Sequence, residues 1–273
     1  MPARRRVVPH LVHPEDRQQR DVEHEAEEEV RGAHQRAPPG EKRSGEQRRD
    51  EGGQQQQDRN RGNLSFPFGG KSGKLSPVRS PAGGAGSLVK LLCDIPSGTE
   101  VLVHVCCAPD ACYGVRALRD RFDVTGFFYN PNIHPVEEFR KRLRATLDLQ
   151  EKDPFPLVVG AGGEEAWEEA AWGLEGEPER GRRCEACVRV RLRETARKAV
   201  ELGMPAFGTV LTVSPRKDAA MVNRVGREEG ERTGIRFVEA DMKKGDGYLK
   251  SVRISREMGL YRQNYCGCRY SFR

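Results

Sequence analysis

The chain has 273 residues and a formal net charge of +6, and only 36% of its residues are hydrophobic. No stretch reaches the roughly 20 apolar residues of a membrane helix, and no apolar segment follows the basic N-terminus as in a secretory signal, so we expect a cytoplasmic protein without a membrane partner. Residues 1–85 contain 16 Lys/Arg and 13 Asp/Glu, which leaves a net charge of about +3 for the rest of the chain. Charge alone therefore does not require a nucleic acid partner.

Residues 1–85 are predicted to be a disordered, low-complexity tail. They contain acidic and glutamine runs, Glu25–Glu29 and Gln54–Gln57, followed by sequence rich in Gly, Ser and Pro. A segment of this composition buries too little apolar surface to offset the entropy lost when the chain is ordered. We therefore assign one folded domain to residues 86–273, which is long enough to bury a core of its own.

Short, β-rich apolar runs alternate with longer stretches of helical periodicity in residues 86–273. The runs are typical of strands, and the longer stretches repeat apolar side chains every three or four positions. The predicted strands are Val101–Val105, Val124–Tyr129, Phe155–Val159, Ala206–Thr212 and Ile235–Glu239. The predicted helices are Val136–Gln150, Glu164–Gly173, Cys184–Leu202, Arg216–Thr233 and Tyr248–Met258.

The order of these elements predicts the fold class. Strands that alternate with helices of ten or more residues are joined by crossover connections, which produce a parallel sheet. We expect an α/β fold, as a single three-layer domain with about five parallel strands. Ser214 followed by Pro215 indicates a helix start with Ser214 as its N-cap. Because ligands bind at the carboxyl ends of parallel strands, the segments after the first, second and fourth strands should lie along one edge.

Six of the eight cysteines form three close pairs. Clustered thiols in a protein without an export signal usually bind metal or take part in redox chemistry, because the cytoplasm keeps structural disulfides reduced. The pairs are Cys106-Cys107 after the first strand, Cys184-x-x-Cys187 at a helix start and Cys266-Gly-Cys268 near the C-terminus. The simplest interpretation is that the fold gathers all three pairs into one site.

The ligand chemistry of these pairs leaves alternatives open. Four thiolates from Cys106-Cys107 and Cys184-x-x-Cys187 suit zinc or an iron–sulfur cluster equally well. Cys266 and Cys268 could cycle between a dithiol and a strained disulfide, or they could bind metal. Asp110, the carboxylate nearest to the first pair, could be a metal ligand, a proton donor or the cap of the following helix.

The turn after the second strand and several basic runs are candidate substrate contacts. His134 could donate a proton or hold a phosphate, and tyrosines near strand ends could stack on a base. The arginine runs Arg140–Arg144 and Arg189–Arg193 could follow a phosphate backbone, or they could be ordinary solvated helix faces. The candidate substrate-binding residues are Tyr129, Asn130, His134 and Arg262.

Several of these motifs occur together in one known family. The segments that carry the resemblance are His104–Asp110, Phe128–Pro135, Gly173–Cys187, Thr212–Lys217 and Tyr261–Cys268. In this order, over about residues 99–271, the chain resembles the cobalamin-independent epoxyqueuosine reductases, the QueH family. Cys112 and Val188 depart locally from the family's pattern, and residues 1–85 lie outside the resemblance.

The resemblance implies a tRNA-modifying oxidoreductase. Its reaction would be the reduction of epoxyqueuosine at the wobble position of tRNA to queuosine, the last step of queuosine biosynthesis. The resemblance also implies a sheet of the HUP or PP-loop type, tRNA as a partner, and an electron donor that the sequence does not identify.

For the site, the resemblance implies two groups of residues. The cysteines that match the ligands of the family's 4Fe-4S cluster are Cys106, Cys107, Cys184 and Cys187. The residues that match the redox-active pair and its neighbouring carboxylate, which we take as catalytic candidates, are Cys266, Cys268 and Asp110. A second, mononuclear metal, iron, is also suggested beside the cluster, and it would share these last three residues.

Two other functions fit parts of the sequence. A zinc-stabilised RNA-binding domain without redox activity explains four thiolates, but it leaves Cys266, Cys268 and Asp110 without a role. An ATP-dependent tRNA thiolase on a related sheet needs a glycine-rich phosphate loop after the first strand. The sequence Cys-Cys-Ala-Pro-Asp occupies that position and lacks the glycines, so the reductase is the favoured interpretation.

Overall fold

A five-stranded parallel sheet lies at the centre of the computed structural model, which describes residues 90–91 and 94–271. The predicted tail, residues 1–85, lies outside the described residues, so the boundary at residue 86 stays a prediction. The strands are β1 (Lys90–Leu91), β2 (Glu100–Val105), β3 (Asp123–Phe128), β4 (Leu157–Val159), β5 (Ala206–Thr209), β6 (Arg236–Phe237) and β7 (Ala240–Asp241). The helices of the described residues are α1 (Ala108–Arg119), α2 (Val136–Lys152), α3 (Glu164–Ala171), α4 (Arg182–Glu201), α5 (Ala219–Thr233) and α6 (Gly247–Glu257). None of these helices is both long enough and apolar enough to cross a membrane.

The large sheet has the strand order β4-β3-β2-β5-β6, and every neighbouring pair is parallel. β2 is the central strand, because Val101 pairs with Val124 on one side and with Ala206 on the other. All residues of β2 after Glu100 are buried, as expected of a strand that is covered on both faces of the sheet.

Helices pack on both faces of this sheet. Val101, Val103 and Val105 of β2 belong to one buried cluster, which includes side chains of α1 and α2. Leu102 points to the opposite face, where it belongs to a second cluster with Leu192 of α4 and side chains of α5. The prediction of a three-layer α/β domain with about five parallel strands is confirmed.

The helix predicted from Arg216 begins later, at Ala219, and the prediction of Ser214 as its N-cap is wrong. Asp218 is the cap, because its side chain accepts hydrogen bonds from two backbone N–H groups of the first turn. Ser214 instead accepts a hydrogen bond from the Arg216 N–H at 3.2 Å inside a turn. Ser and Asp are similarly good caps, and use of the later one leaves Lys217 in a loop after β5.

A second, two-stranded antiparallel sheet pairs β1 with β7. The sequence did not predict it, because two-residue strands are too short to show an alternating pattern. The last predicted strand, Ile235–Glu239, is also shorter in the structure, where it is reduced to β6. After β6 the chain continues directly into β7, which connects the large sheet to the small one.

Candidate active site

The first cysteine pair lies where β2 meets α1. β2 ends at Val105, and the backbone of Cys107 is extended just before the helix begins at Ala108. The sulfurs of Cys106 and Cys107 are 3.8 Å apart, and the Cys106 thiol donates to Asp110 Oδ2 at 3.3 Å. One possible ligand atom from each of these three residues lies within 4.8 Å of the others. The group has the chemistry either to bind a metal ion or to pass a proton.

Burial and mutual contact favour the protonated forms of this group. The hydrogen bond with Cys107, followed by burial, raises the pKa of the Cys106 thiol well above its usual value. Burial also raises the pKa of Asp110, although hydrogen bonds from the two thiols and the charges of Arg262 and Lys217 oppose this rise. Asp110 therefore keeps its proton to a higher pH than an exposed carboxyl does, which suits a proton donor.

The second and third cysteine pairs meet in a separate apolar cluster. Cys187 and Cys268 are buried there with Trp167 and Ala171, and Cys266 packs against the same cluster. The members come from α3, from α4 and from the segment after α6. The structure thus brings the C-x-x-C and C-x-C motifs into contact although they are far apart in the sequence.

Cys184 lies in the first turn of α4, which begins at Arg182. Its sulfur accepts a hydrogen bond from the Arg180 N–H at 3.2 Å. All the cysteines among the described residues are free, including Cys266 and Cys268 of the C-x-C pair.

The turn after β3 and helix α2 hold the C-x-C loop. The His134 N–H donates to the Gly267 carbonyl at 2.8 Å, and the Tyr265 hydroxyl donates to the His134 carbonyl. The two terminal nitrogens of Arg142 donate to the carbonyls of Cys266 and Tyr265 at 2.9 and 3.1 Å. The position of the loop is therefore fixed through its backbone, which leaves the two thiols available for chemistry.

Two arginines that the sequence analysis placed on helix surfaces are buried. Arg142 is 3% exposed, and its ion pair with Glu138 is 2.7 Å long. Arg191 is also 3% exposed, and its Nε donates to the Cys187 carbonyl at 3.3 Å. The interpretation as solvated faces or phosphate contacts is wrong for these two residues. For Arg191 the spacing was a signal that could have been used, since it follows Cys187 by four residues and lies on the same helix face.

Two cations interact with the thiols from within the protein. Burial alone would lower the pKa of Arg191, but attraction to nearby thiolates raises it. The thiols on which Arg191 acts are those of Cys187, Cys266, Cys106 and Cys184. Lys217, which the sequence analysis did not select, donates from Nζ to Cys266 Sγ at 3.1 Å. These two charges favour the thiolate at Cys266, whereas burial outweighs them at Cys187 and raises the pKa of that thiol.

The two thiols of the C-x-C loop differ in acidity. Burial alone would raise the pKa of Cys266, but the charges of Lys217 and Arg191 outweigh it and lower this pKa to about 7. Burial raises the pKa of Cys268 to about 11. At neutral pH, Cys266 is therefore partly ionised while Cys268 keeps its proton.

His104 lies beneath the site and connects three strands. Its Nε2 donates to the Tyr129 carbonyl at 3.0 Å, and its Nδ1 accepts from the Thr209 hydroxyl at 3.1 Å. The Thr209 oxygen in turn accepts from the Leu211 N–H at 3.1 Å. Burial, followed by the charge of Arg191, lowers the pKa of His104 to about 3, so the ring is neutral.

Comparison with known proteins agrees with the motifs gathered at this site. A family model described as epoxyqueuosine reductase QueH matches residues 101–273, which is more than half of the chain. The chain belongs to the epoxyqueuosine reductase QueH family. The family inferred from the motifs is confirmed, and with it the prediction that the protein is an oxidoreductase.

Relatives within the QueH family show how far the similarity extends. Epoxyqueuosine reductase QueH of Thermotoga maritima is 38% identical over 174 residues, covering 63% of this chain and 89% of the relative. The enzyme of the same name from Streptococcus pyogenes is 38% identical over 182 residues, covering 63% and 70%. Among solved structures, the U34-tRNA thiolase NcsA from Methanococcus maripaludis with its 4Fe-4S cluster has a TM-score of 0.44 and 12% identity, and covers 65% of this chain and 62% of its own.

The substrate-binding residues predicted for this QueH-family site are mostly buried. Tyr129 stacks on a core ring at 5.7 Å, and Asn130 Nδ2 donates to a β2 carbonyl at 2.9 Å. His134 is also buried, and Arg262 donates to the Ser255 hydroxyl at 2.6 Å. These side chains therefore make contacts within the protein, and their contact with a substrate stays a prediction.

An open cavity of about 670 Å³, which we call the side cavity, lies next to the C-x-C loop. Its walls come from the segment before α4, from the turn before α5 and from the segment after α6. Its lining residues include Glu177, Glu179, Arg183, Arg216, Tyr265 and Tyr270. Five of these six residues lie within the motif segments Gly173–Cys187, Thr212–Lys217 and Tyr261–Cys268. No site role was predicted for them, because no single segment shows that the three meet.

Proposed function

We propose that the protein reduces epoxyqueuosine at the wobble position of tRNA to queuosine, with tRNA as its partner in the cytoplasm. The observation that carries the proposal is the packing of the C-x-C loop against Cys187, with Lys217 bound to the Cys266 sulfur. A cation-bound thiol beside a second cysteine motif is an arrangement suited to electron transfer. Membership of the QueH family supports the same reaction.

The reaction removes the epoxide oxygen as water and leaves a carbon–carbon double bond, which consumes two electrons and two protons. Oxidation of two thiols to a disulfide releases two electrons and two protons, so Cys266 and Cys268 together balance one turnover. An external electron donor must then reduce the disulfide before the next turnover. Lys217 makes Cys266 the more nucleophilic thiol of the pair, and Asp110 holds a proton for the departing oxygen.

The remaining cysteines are proposed to hold a 4Fe-4S cluster. The proposed ligands are Cys106, Cys107, Cys184 and Cys187. Four thiols are the ligand number of such a cluster, and the buried charge of Arg191 offsets their negative charge. When bound, the cluster would supply electrons one at a time. The second proposed metal is a mononuclear iron, whose ligands would be Asp110, Cys266 and Cys268, and its binding would compete with disulfide formation.

The test combines metal analysis with turnover. Iron, acid-labile sulfide and zinc are measured on protein purified without oxygen, and queuosine formation is measured on tRNA that carries epoxyqueuosine, with a chemical one-electron reductant. We expect about four iron and four sulfide per chain. Cys184→Ala should lose both the cluster and turnover, whereas Cys266→Ala should keep the cluster and lose turnover. Cys112→Ala is the matched control, since this buried thiol bonds only to backbone carbonyls at 3.2 and 3.6 Å.

Three results would contradict parts of this proposal. One tightly bound zinc without sulfide would contradict the reductase and favour a zinc-stabilised RNA-binding domain. Full cluster absorbance in the Cys184→Ala protein would remove this residue from the ligand set. Undiminished turnover by Cys266→Ala would exclude the dithiol as the electron source.

A further inference from the structure

The side cavity opens next to the C-x-C loop, although none of the described cysteines lines it. Arg183 and Tyr265 each directly precede a cysteine of the site, and Arg216 directly precedes Lys217. Its volume of about 670 Å³ lies within the range of pockets that bind small organic groups. A ligand bound in the side cavity is therefore within reach of the C-x-C loop.

Two tyrosines give the side cavity aromatic walls. Tyr270 is 38% exposed, and the Arg183 guanidinium lies 5.1 Å from the centroid of its ring. The ring of Trp167 stacks with the same tyrosine at 6.1 Å. Arg142 lies 5.2 Å from the centroid of the Tyr265 ring. Aromatic rings that are held by such contacts and remain partly exposed are surfaces on which nucleic acid bases stack.

The wall before α4 is preorganised by buried Arg183. One of its terminal nitrogens donates to three backbone carbonyls of residues 174–177, at distances between 2.6 and 3.1 Å. Glu177, at the end of this segment, forms an ion pair of 2.7 Å with Arg182. The shape of the wall thus exists before any ligand binds, which lowers the entropy cost of binding.

Two charged side chains at the side cavity are left for a ligand. Arg216 and Glu179 are both exposed, and neither side chain forms an ion pair or hydrogen bond with any residue that the structure describes. A guanidinium binds phosphate, whereas a carboxylate accepts hydrogen bonds from N–H groups on the edge of a base. The aromatic walls, the cation and the carboxylate together match the face of a base, a phosphate and the N–H edge of a base.

We propose that the side cavity binds the nucleotide whose base carries the epoxide. The base lies against Tyr265 and Tyr270, its phosphate contacts Arg216, and its N–H edge faces Glu179. This inference rests on the proposed function, and it adds the place where the substrate binds. The wobble base leaves the stack of the anticodon loop to enter the cavity, as bases recognised by proteins in RNA loops commonly do.

The test compares variants in binding and in turnover. The probe is an RNA hairpin of the anticodon stem and loop, with epoxyqueuosine at the wobble position for turnover and guanosine for binding alone. Arg216→Ala and Tyr270→Leu should each weaken binding about tenfold and raise KM in proportion, because a phosphate contact or a stacking surface is lost. Arg232→Ala is the matched control, since this exposed arginine lies in the last turn of α5, whereas Arg216 precedes the first turn of the same helix.

A second measurement does not depend on the folding of variants. A hairpin with 4-thiouridine at the wobble position is crosslinked by light to the wild-type protein, and the modified residues are identified by mass spectrometry. We expect crosslinks within residues 177–183 or 264–271. Crosslinks confined to α2 would overturn the side cavity as the binding site.

The outcomes separate this inference from the proposed reaction. If the wild-type protein forms queuosine but both variants bind as Arg232→Ala does, the side cavity is overturned while the reaction stands. If crosslinks appear in the side cavity but no queuosine forms, the nucleotide site is supported while the reaction fails. If the protein neither binds the hairpin nor forms queuosine, both proposals are overturned.

Discussion

Cys266 and Cys268 have different surroundings although one residue separates them. Cys266 is half-buried and accepts a hydrogen bond from the Lys217 ammonium. Cys268 is buried in the apolar cluster with Trp167. Their pKa values, about 7 and about 11, differ because a cation offsets burial at the first thiol but not at the second. The pair therefore combines a thiolate that can attack with a thiol that can deliver a proton.

Cys266 should react with iodoacetamide faster than Cys268 at neutral pH in the metal-free protein. Its labelling rate should be half-maximal near pH 7, fall at lower pH as the thiol protonates, and level off at higher pH. Lys217→Met removes the stabilising charge, raises the pKa of Cys266 and should move this rise to higher pH. Fragment-ion mass spectrometry distinguishes the two labelled cysteines.

Lys198→Met is the control for this experiment. Lys198 forms an ion pair of 2.9 Å with Glu201 at the end of α4, so its removal changes the charge of the protein without touching a thiol. Its pH profile should match that of the wild-type protein. Equal labelling of both cysteines at pH 7 would contradict the asymmetry of the pair.

Candidate thiols and carboxylates were easier to select from the sequence than the cations that contact them. The cysteine pairs and Asp110 could be selected because their side chains and spacing suit metal and proton chemistry. Arg191 could have been recognised from its helical spacing to Cys187. Lys217 could not, because its contact with Cys266 joins loops that are 49 residues apart, and no local pattern encodes such a contact.

At the scale of elements, the C-x-C loop contains a glycine whose backbone conformation and close neighbours disfavour a side chain. Gly267 has a φ of +102°, a conformation that strains residues with a side chain. A Cβ at this position would lie 2.9 Å from Arg142 Nη1 and 3.0 Å from Ile133 Cγ1. Arg142 cannot easily move aside, because it holds the carbonyls of the same loop.

Gly267→Ala should therefore destabilise the protein and disturb the site. We expect the free energy of unfolding to fall by about 1–3 kcal/mol, from backbone strain and the clash with Arg142, and queuosine formation to fall with it. Urea unfolding and turnover are the measurements. Gly176→Ala is the matched control, since a Cβ there meets nothing within 4 Å. Equal unfolding curves for the two variants would show that the loop tolerates a side chain.

Strands and helices could be predicted where their apolar residues repeat at the spacing of a strand or a helix. The buried strand Val101–Val105 and the amphipathic helix from Val136 were found because their apolar residues repeat over several positions. The start of α5 was missed because Ser214 and Asp218 are both acceptable caps, and tertiary contacts select between them. β1 and β7 have two residues each, which is too few for any pattern.

At the scale of the whole molecule, residues 86–273 are predicted to fold and act without the tail. A protein that lacks residues 1–85 retains β1. Its urea midpoint should match that of the full chain, and its turnover should stay within a few-fold. A protein that lacks residues 1–93 loses β1 and its pairing with β7, so its urea midpoint should fall. Loss of turnover on removing residues 1–85 alone would show that the tail takes part in function.

The topology predicted from the sequence already placed Cys106-Cys107 and the turn containing His134 along one edge of the sheet, because parallel strands end on the same side. The same argument could not place the C-terminal segment, which follows the last helix and belongs to no strand. Its docking against α3 and α4 depends on packing around Trp167. The clustering of the cysteines into three pairs, together with the motif resemblance, indicated this contact.

His104 keeps the same protonation state while Cys266 gains or loses its proton. Its ring joins β2 to the carbonyl after β3 and to the hydroxyl at the end of β5, and both nitrogens are used. With a pKa of about 3, the ring stays neutral over the whole pH range in which Cys266 ionises. The charge of this buried ring within the sheet therefore does not change in that pH range. Cys266 can therefore change its charge without altering the hydrogen bonds by which His104 links these strands.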